Sequence, residues 1–195
     1  MRFENRHPAP APRHTEVVDV HLILRRGADV LLARRANTGY ADGLLHGPSG
    51  HVEDGEDVRA AMIREAYEEV GVTIGPDELA VALVMQHRGP GGQARTGWFF
   101  EAWYDPADPP ANREPHKCSG LAWHSLDALP DDMVAYCRAG LEAYRKGERF
   151  VLHWHEDGDP IAYEESVRDR KVPLRESGTR GPVHHRPENR DGREV

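Results

Sequence analysis

Apolar positions along the chain recur with two periods, and the switches between them mark out the elements. Val17 to Leu24 (VVDVHLIL) and Val30 to Ala33 read as two strands joined by a turn around Gly27-Ala28-Asp29, followed by a polar loop from Asn37 to Ser49. From about Asp57 the period lengthens to that of a helix. Ile63, Ala66, Tyr67 and Val70 fall at i, i+3, i+4 and i+7 and predict one apolar stripe, with Asp54 as the cap and Gly71 as the stop. Leu79 to His87 and Trp98 to Tyr104 are strand-like and flank a glycine-rich loop, GPGGQARTG. Leu121 to His124 is a further short strand. After Pro130 the pattern fits a second helix from Asp131 to Lys146, with Met133, Tyr136 or Cys137, Leu141 and Tyr144 on one stripe. Strands interleaved with two helices predict an α/β protein whose sheet is covered on both faces.

The ends of the chain differ from its middle. At 195 residues a single domain is expected. Met1 to Thr15 (MRFENRHPAPAPRHT) alternates Pro and Ala without an apolar h-region, so residues 1–15 read as a flexible lead-in rather than a secretory signal. Residues 16–152 carry the periodic pattern of the folded domain. The tail, 153–195, is dominated by charged and turn-forming residues and is expected to be mobile or to pack along a partner subunit. Within it, His153 to Tyr163 carries Trp154 and Tyr163 and is expected to fold back on the domain. No stretch approaches the ~18 consecutive apolar residues of a spanning helix, which predicts a cytoplasmic protein without membrane contact.

Charge narrows the partners. Lys and Arg total 25 against 33 Asp and Glu, a formal net charge of −8, which argues against a general nucleic-acid polymer binder. Cys118 and Cys137 are too few for a disulfide framework, and His116, Cys118 and His124 lack the paired spacing of a structural zinc site. His21, His46 and His51 lie near the segment that carries the chemistry described next.

That segment is Gly50 to Val72, GHVEDGEDVRAAMIREAYEEVGV. Glu65, Glu68 and Glu69 project from roughly the side of the helix opposite its apolar stripe. Carboxylates about 5–6 Å apart repel by a few kcal/mol per pair at an effective dielectric near 20, a cost that a hard, oxygen-preferring cation removes. An acidic EAYEE run by itself is commonly just a solvated helix face. The spacing around it is more specific. Gly50, Glu56, Arg64-Glu65, an aliphatic Ala66, Glu68-Glu69, Gly71 and an aliphatic Val72 stand at every defined position of the Nudix box. Seven literal residues at ~7% usage each coincide by chance about once in 10^8 windows.

The chain therefore resembles a Nudix hydrolase of the MutT type, with matching motifs over about residues 16 to 146. The resemblance implies an α/β/α sandwich with a mixed sheet between helices, and hydrolysis of a nucleoside diphosphate linked to another moiety, X. It implies that Glu65, Glu68 and Glu69 hold Mg²⁺ or Mn²⁺ and orient or deprotonate the attacking water, with Glu65 the first choice of base. Glu53 and Glu56 follow as second-tier acids, and Arg64 as the ion-pairing partner that fixes the carboxylates. Gly50 permits a tight loop in which the Ser49 carbonyl joins the metal shell. Glu114, in the loop ANREPHKC, is implied as an additional metal ligand and second choice of base.

Two departures from the family pattern matter. Pro48-Ser49-Gly50 replaces the usual Pro-Gly-Gly, and serine accepts left-handed backbone angles less readily than glycine, so a reshaped loop is expected. His87 and Arg88 stand where some subfamilies carry markers of ADP-ribose or dinucleoside-polyphosphate substrates. Arg34, Arg35, His46, Met133 and Tyr136 are weak substrate-binding candidates. Trp98, Phe99, Phe100 and Trp103 are expected mainly to fill the core, and Trp123 to be structural. The leading expectation is Mg²⁺-dependent cleavage of a nucleoside or deoxynucleoside triphosphate to monophosphate and pyrophosphate. A nucleotide sugar or ADP-ribose substrate, and a non-catalytic nucleotide sensor, are the alternatives. Members of the family often form homodimers, so a dimer is a further expectation.

Overall fold

A computed structural model describes residues 13–164 and the short strand 170–171. Its strands are β1 (Val17–Arg26), β2 (Asp29–Arg35), β3 (Leu45–His46), β4 (Ser49–His51), β5 (Ala80–Arg88), β6 (Ala94–Trp103), β7 (Cys118–Ser125), β8 (Phe150–Trp154) and β9 (Arg170–Lys171), with helices α1 (Val58–Val70) and α2 (Ala135–Arg145). No helix among the described residues is long and apolar enough to cross a membrane.

One sheet contains all the strands, in the order β3-β2-β1-β6-β5-β8-β9, with β4 added to β1 and β7 to β2. β1 lies parallel to β6 along its length and so occupies the centre. Its other edge forks. The ladder with β2 is confined to Arg25↔Val30 and Arg26↔Asp29, after which β4 takes over at Asp19 to His21. The Leu22 N–H bridges the break by donating to the Pro48 carbonyl at 2.8 Å. Because β4 leads into α1, the fork sets the acidic helix against the middle of the sheet.

Strand alternation sorts β1 and β6 between two cores. Val20, Leu22, Leu24 and Phe100 face α1 and pack with Met62, Ala66 and Val70. Ile23 and Phe99 face α2 and pack with Met85, Met133 and Leu141. The sheet is thus sandwiched between helices, as the periodicity predicts. Gly140 permits the close approach of α2, since a Cβ there would lie 2.5 Å from the Phe99 ring. Of the other aromatics, Trp98 and Trp123 pack partly buried against the α1-side core, whereas Trp103 is 63% exposed.

Several boundaries differ from the sequence pattern. Asp57, not Asp54, caps α1: its carboxylate accepts from the Arg59 and Ala60 N–H groups, both at 2.9 Å. The buried face of α1 is Ala61, Met62, Ala66 and Val70, while Tyr67 is 49% exposed beneath the Arg113 guanidinium. The apolar run Ala60-Ala61-Met62-Ile63 fits either stripe, and only contact with the sheet selects one. α2 starts at Ala135 because the residues before it are used as extended chain: Leu45 donates to Asp132 O, and Val134 donates to Leu45 O.

β8 crosses the expected 152/153 boundary. It pairs parallel with β5, from Val84↔Phe150 to Arg88↔Trp154, and His153 is fully buried. Residues 155–163 then return to the start of α2, where Ala135 N donates to Ile161 O at 2.9 Å and Tyr163 N to Met133 O at 2.9 Å. The expected lead-in before residue 13, and the tail beyond 164 apart from β9, lie outside the described residues.

Candidate active site

Strand β4 delivers Ser49 and Gly50 to the base of α1. A Cβ on Gly50 would lie 1.9 Å from the Glu65 carboxyl carbon and 1.9 and 2.5 Å from its two oxygens. Gly50 is therefore required for the space its missing side chain leaves, and Glu65 fills that space. Left-handed geometry has no part here: neither Ser49 nor Gly50 is among the positive-φ residues. Serine at position 49 therefore carries no left-handed strain, because extended backbone admits any residue there.

Arg64 organises the acidic ridge. Its Nη2 donates to Glu56 Oε1 at 2.7 Å and to the His51 carbonyl at 3.0 Å, and its Nη1 donates to Glu65 at 2.8 Å and Glu68 at 3.2 Å. Glu56 also accepts the Glu53 N–H at 2.8 Å. Its hydrogen bond from Arg64 holds the Glu56 carboxyl below the usual range. Glu56 braces the arginine and is absent from the cavity lining, so it belongs to the support of the ridge rather than to its open face.

Glu69 is the most deeply set of the acids. It accepts the Ser49 N–H at 2.8 Å. Burial pushes its carboxyl up to about 8, against the lowering effect of that hydrogen bond, and the charges of Glu65 and Glu114 add to the rise. Burial also raises Glu65, although Arg64 opposes it. Beside the ridge, in the loop before β7, Lys117 Nζ donates to Glu114 at 2.7 Å. Among the described residues no three His, Cys, Asp or Glu side chains converge into a ready metal-holding group. Arg64 and Lys117 hold Glu65, Glu68 and Glu114 instead. The donor set nevertheless fits a hard divalent cation: all are carboxylate oxygens on one cavity wall, and their mutual repulsion raises proton affinity where a cation would relieve it.

The cavity measures about 730 Å³ and runs from this ridge to a second wall built of rings. There, buried Asp19 receives Arg95 Nη1 at 3.0 Å from both of its oxygens, with His87 and His51 each 3.5 Å away. Burial works to raise Asp19, but His87 and Arg95 outweigh it and hold the carboxyl down to about 2. His46 lies against the Tyr136 hydroxyl at 2.7 Å, and burial lowers its imidazole to about 4. Tyr136 stacks on His87 with centroids 4.7 Å apart.

The structure divides the sequence-derived candidates. Ser49, Gly50, Glu53, Arg64, Glu65, Glu68, Glu69 and Glu114 line the cavity together with Arg35, His46 and Tyr136. Arg34 and Met133 do not. Arg34 staples the Gly43 carbonyl to Asp132, and Met133 is completely buried in the α2-side core. Asp19, Arg95, Lys117, His153, His155 and Ile161 also line the cavity and were not singled out from sequence. The polar Asp19 and His21 inside an apolar strand were the available signal. The remaining positions join the cavity only through tertiary contacts, by strand pairing for Arg95 and His153 and by loop hydrogen bonds for Lys117, His155 and Ile161.

An α/β/α sandwich in which β4, paired to the central strand, carries a glycine up to a braced carboxylate helix defines the class. Within it, the chain belongs to the Nudix family: the NUDIX domain model matches residues 13–143. A MutT NUDIX hydrolase from Burkholderia pseudomallei is similar in structure, with TM-score 0.60 and 25% identity over 66% of this chain and 98% of that one. The NUDIX domain of Shewanella oneidensis NrtR, solved with ADP ribose, shares the fold at TM-score 0.56 and 15% identity, covering 71% and 92% of the two chains. The NAD-capped RNA hydrolase NudC of Chromobacterium violaceum is 30% identical over 97 residues, 43% of this chain and 36% of that protein. The match thus spans about a third of that relative's length.

Proposed function

We propose that this chain is a Mg²⁺-dependent hydrolase that cleaves the phosphoanhydride of a nucleoside or deoxynucleoside triphosphate to the monophosphate and pyrophosphate. The observation that carries this reading is the gathering of Glu65, Glu68, Glu69 and Glu114 on one wall of a cavity large enough for a nucleotide. A divalent cation bound there supplies charge neutralisation on the phosphate oxygens and a lowered pKa for its water. The ridge would hold that cation through Glu68, Glu69 and Glu114 with the Ser49 carbonyl. Glu65, seated over Gly50 with its proton affinity already raised by burial, accepts the proton of the attacking water. Arg64 acts through these acids as their positioning residue.

Glu65→Gln and Glu69→Gln each preserve side-chain shape while removing a charge. Each is expected to lower turnover at least 100-fold with little change in Tm. Wild-type turnover in both variants at saturating Mg²⁺ would reject the assignment. A second reading, a nucleoside diphosphate linked to X, is favoured by the cavity's long second wall and by relatives named for NAD-capped RNA and solved with ADP ribose. Mass analysis of the products separates the two: pyrophosphate marks a triphosphate substrate, and an X-phosphate marks the other class.

A further inference from the structure

The C-terminal end of α1 is closed by a loop from more than one strand away. A helix leaves its last carbonyls without partners of its own, and here Arg113 N donates to Glu69 O at 3.1 Å and Ala111 N to Val70 O at 2.8 Å. Asp108 extends the contact by accepting the Thr73 N–H at 2.7 Å. Side chains reinforce it. The Arg113 guanidinium lies over the Tyr67 ring, 4.3 Å from its centroid, and its stem crosses Gly71, where a Cβ would stand 2.9 Å from Arg113 Cδ. Tyr67, which takes no part in the core of the sheet, thus has a partner in the loop.

The residue after Arg113 is Glu114, and its backbone is fixed on both sides. Its N–H donates to Asn112 Oδ1 at 3.1 Å, and its carbonyl accepts the N–H groups of Lys117 and Cys118 at 2.8 and 2.9 Å. Asn112 in turn donates to the Cys118 carbonyl at 2.7 Å. A turn braced in this way moves as one piece, so its grip on α1 decides where Glu114 stands. The grip falls at the acids themselves: the helix residue that accepts the Arg113 N–H is Glu69, and Glu69 and Glu114 line the same cavity.

We propose that Arg113 and Tyr67 are positioning residues, a latch that registers the loop 105–117 against α1 and so sets Glu114 beside Glu69 for a shared divalent cation. The proposal rests on the reading of Glu114 as a cation ligand, but it is tested without turnover. Mn²⁺ is titrated into the metal-free full chain, with the free ion followed by its electron paramagnetic resonance signal, and amide hydrogen exchange is measured alongside. Tyr67→Ala and Arg113→Ala, both expected to melt as wild type does, should each weaken Mn²⁺ binding about two- to fivefold, the scale of an exposed cation–π contact, and speed exchange at Ala111 and Arg113. Tyr67→Phe, which keeps the ring, should restore both readouts. On a Glu114→Gln background neither alanine substitution should weaken Mn²⁺ binding further, because the ligand it positions has been removed. The proposal is overturned if Mn²⁺ binds the two alanine variants as it binds wild type, if Glu114→Gln itself leaves Mn²⁺ affinity unchanged, or if the alanine effect persists in full on that background. Latch-dependent Mn²⁺ binding without hydrolysis of any nucleotide would leave the latch standing and overturn the hydrolase assignment alone.

Discussion

Gly50→Ala isolates the contact on which the acidic ridge depends. The added Cβ would meet the Glu65 carboxylate at 1.9 Å, well inside the 3.0 Å that Cβ atoms respect, so that carboxylate must retreat. The displacement is roughly 1 Å or more, and misplacing a reacting group by that much costs about 100-fold in rate, or about 2.7 kcal/mol of barrier. Stability should barely change. The group that moves is the far end of a flexible side chain, the backbone at Gly50 is not left-handed, and loss of glycine entropy in the unfolded chain offsets part of any strain. The assay is kcat at saturating Mg²⁺ with the best substrate of a nucleotide panel, alongside a thermal melt. Added to Glu65→Gln, the same substitution should lower kcat less than threefold further, because the group it displaces has already lost its charge. Full kcat in the single variant, or a full 100-fold loss on the Glu65→Gln background, would refute the link from Gly50 to Glu65.

Three further outcomes follow from other contacts. Arg64→Lys keeps the charge but loses the planar fork that reaches Glu56, Glu65, Glu68 and the His51 carbonyl; turnover should fall about 10-fold or more, and an unchanged kcat would contradict the bracing role. Gly140→Ala drives a methyl to 2.5 Å from the Phe99 ring, so overpacking should cost about 1–3 kcal/mol in denaturant titration, and a neutral effect would mean that α2 can shift freely. In the metal-free protein the stability that His46 contributes should be lost as the pH falls from 6.5 to 4, while Glu69, pushed up to about 8, takes up a proton on folding and works in the opposite direction. His46 titrates near 4 when folded against an ordinary 6.5, so between those values the unfolded chain binds a proton that the folded one refuses. The linkage amounts to about 3 kcal/mol, and Asp19, held near 2 against an ordinary 3.8, extends the loss in the same direction below pH 4. Urea titrations across this range should show wild type losing stability relative to His46→Gln as the pH falls, and a difference independent of pH would contradict the burial of a neutral imidazole.

The acidic ridge was legible because its residues are local. Arg64, Glu65, Glu68 and Glu69 share one helix and Gly50 one loop, so spacing alone fixes their neighbourhood, and helical periodicity fixes which side they project from. The ring wall was not legible. His21, His87, Tyr136 and Ile161 come from β1, β5, α2 and the segment 155–163, and they meet only through the β1–β6 and β5–β6 ladders, the packing of α2 on the sheet and the hydrogen bond from Ala135 N to Ile161 O. Arg34 shows the converse: it stands between the lining positions Ala33 and Arg35 yet points elsewhere, because alternation along a strand turns neighbouring side chains to opposite sides.

By itself, then, the order of residues determined the alternation of strands and helices, the carboxylate helix and its family, since these depend on periods and spacings within a few turns of chain. Tertiary structure decided the fork in β1, the face of α1 that is buried, the space at Gly50 that Glu65 occupies, and the return of residues 155–163 that brings His155 and Ile161 to the second wall. Each of those is a contact between segments far apart in sequence. Burial, which sets both the histidines' neutrality and the proton affinity of Glu69, exists only once those segments are packed together.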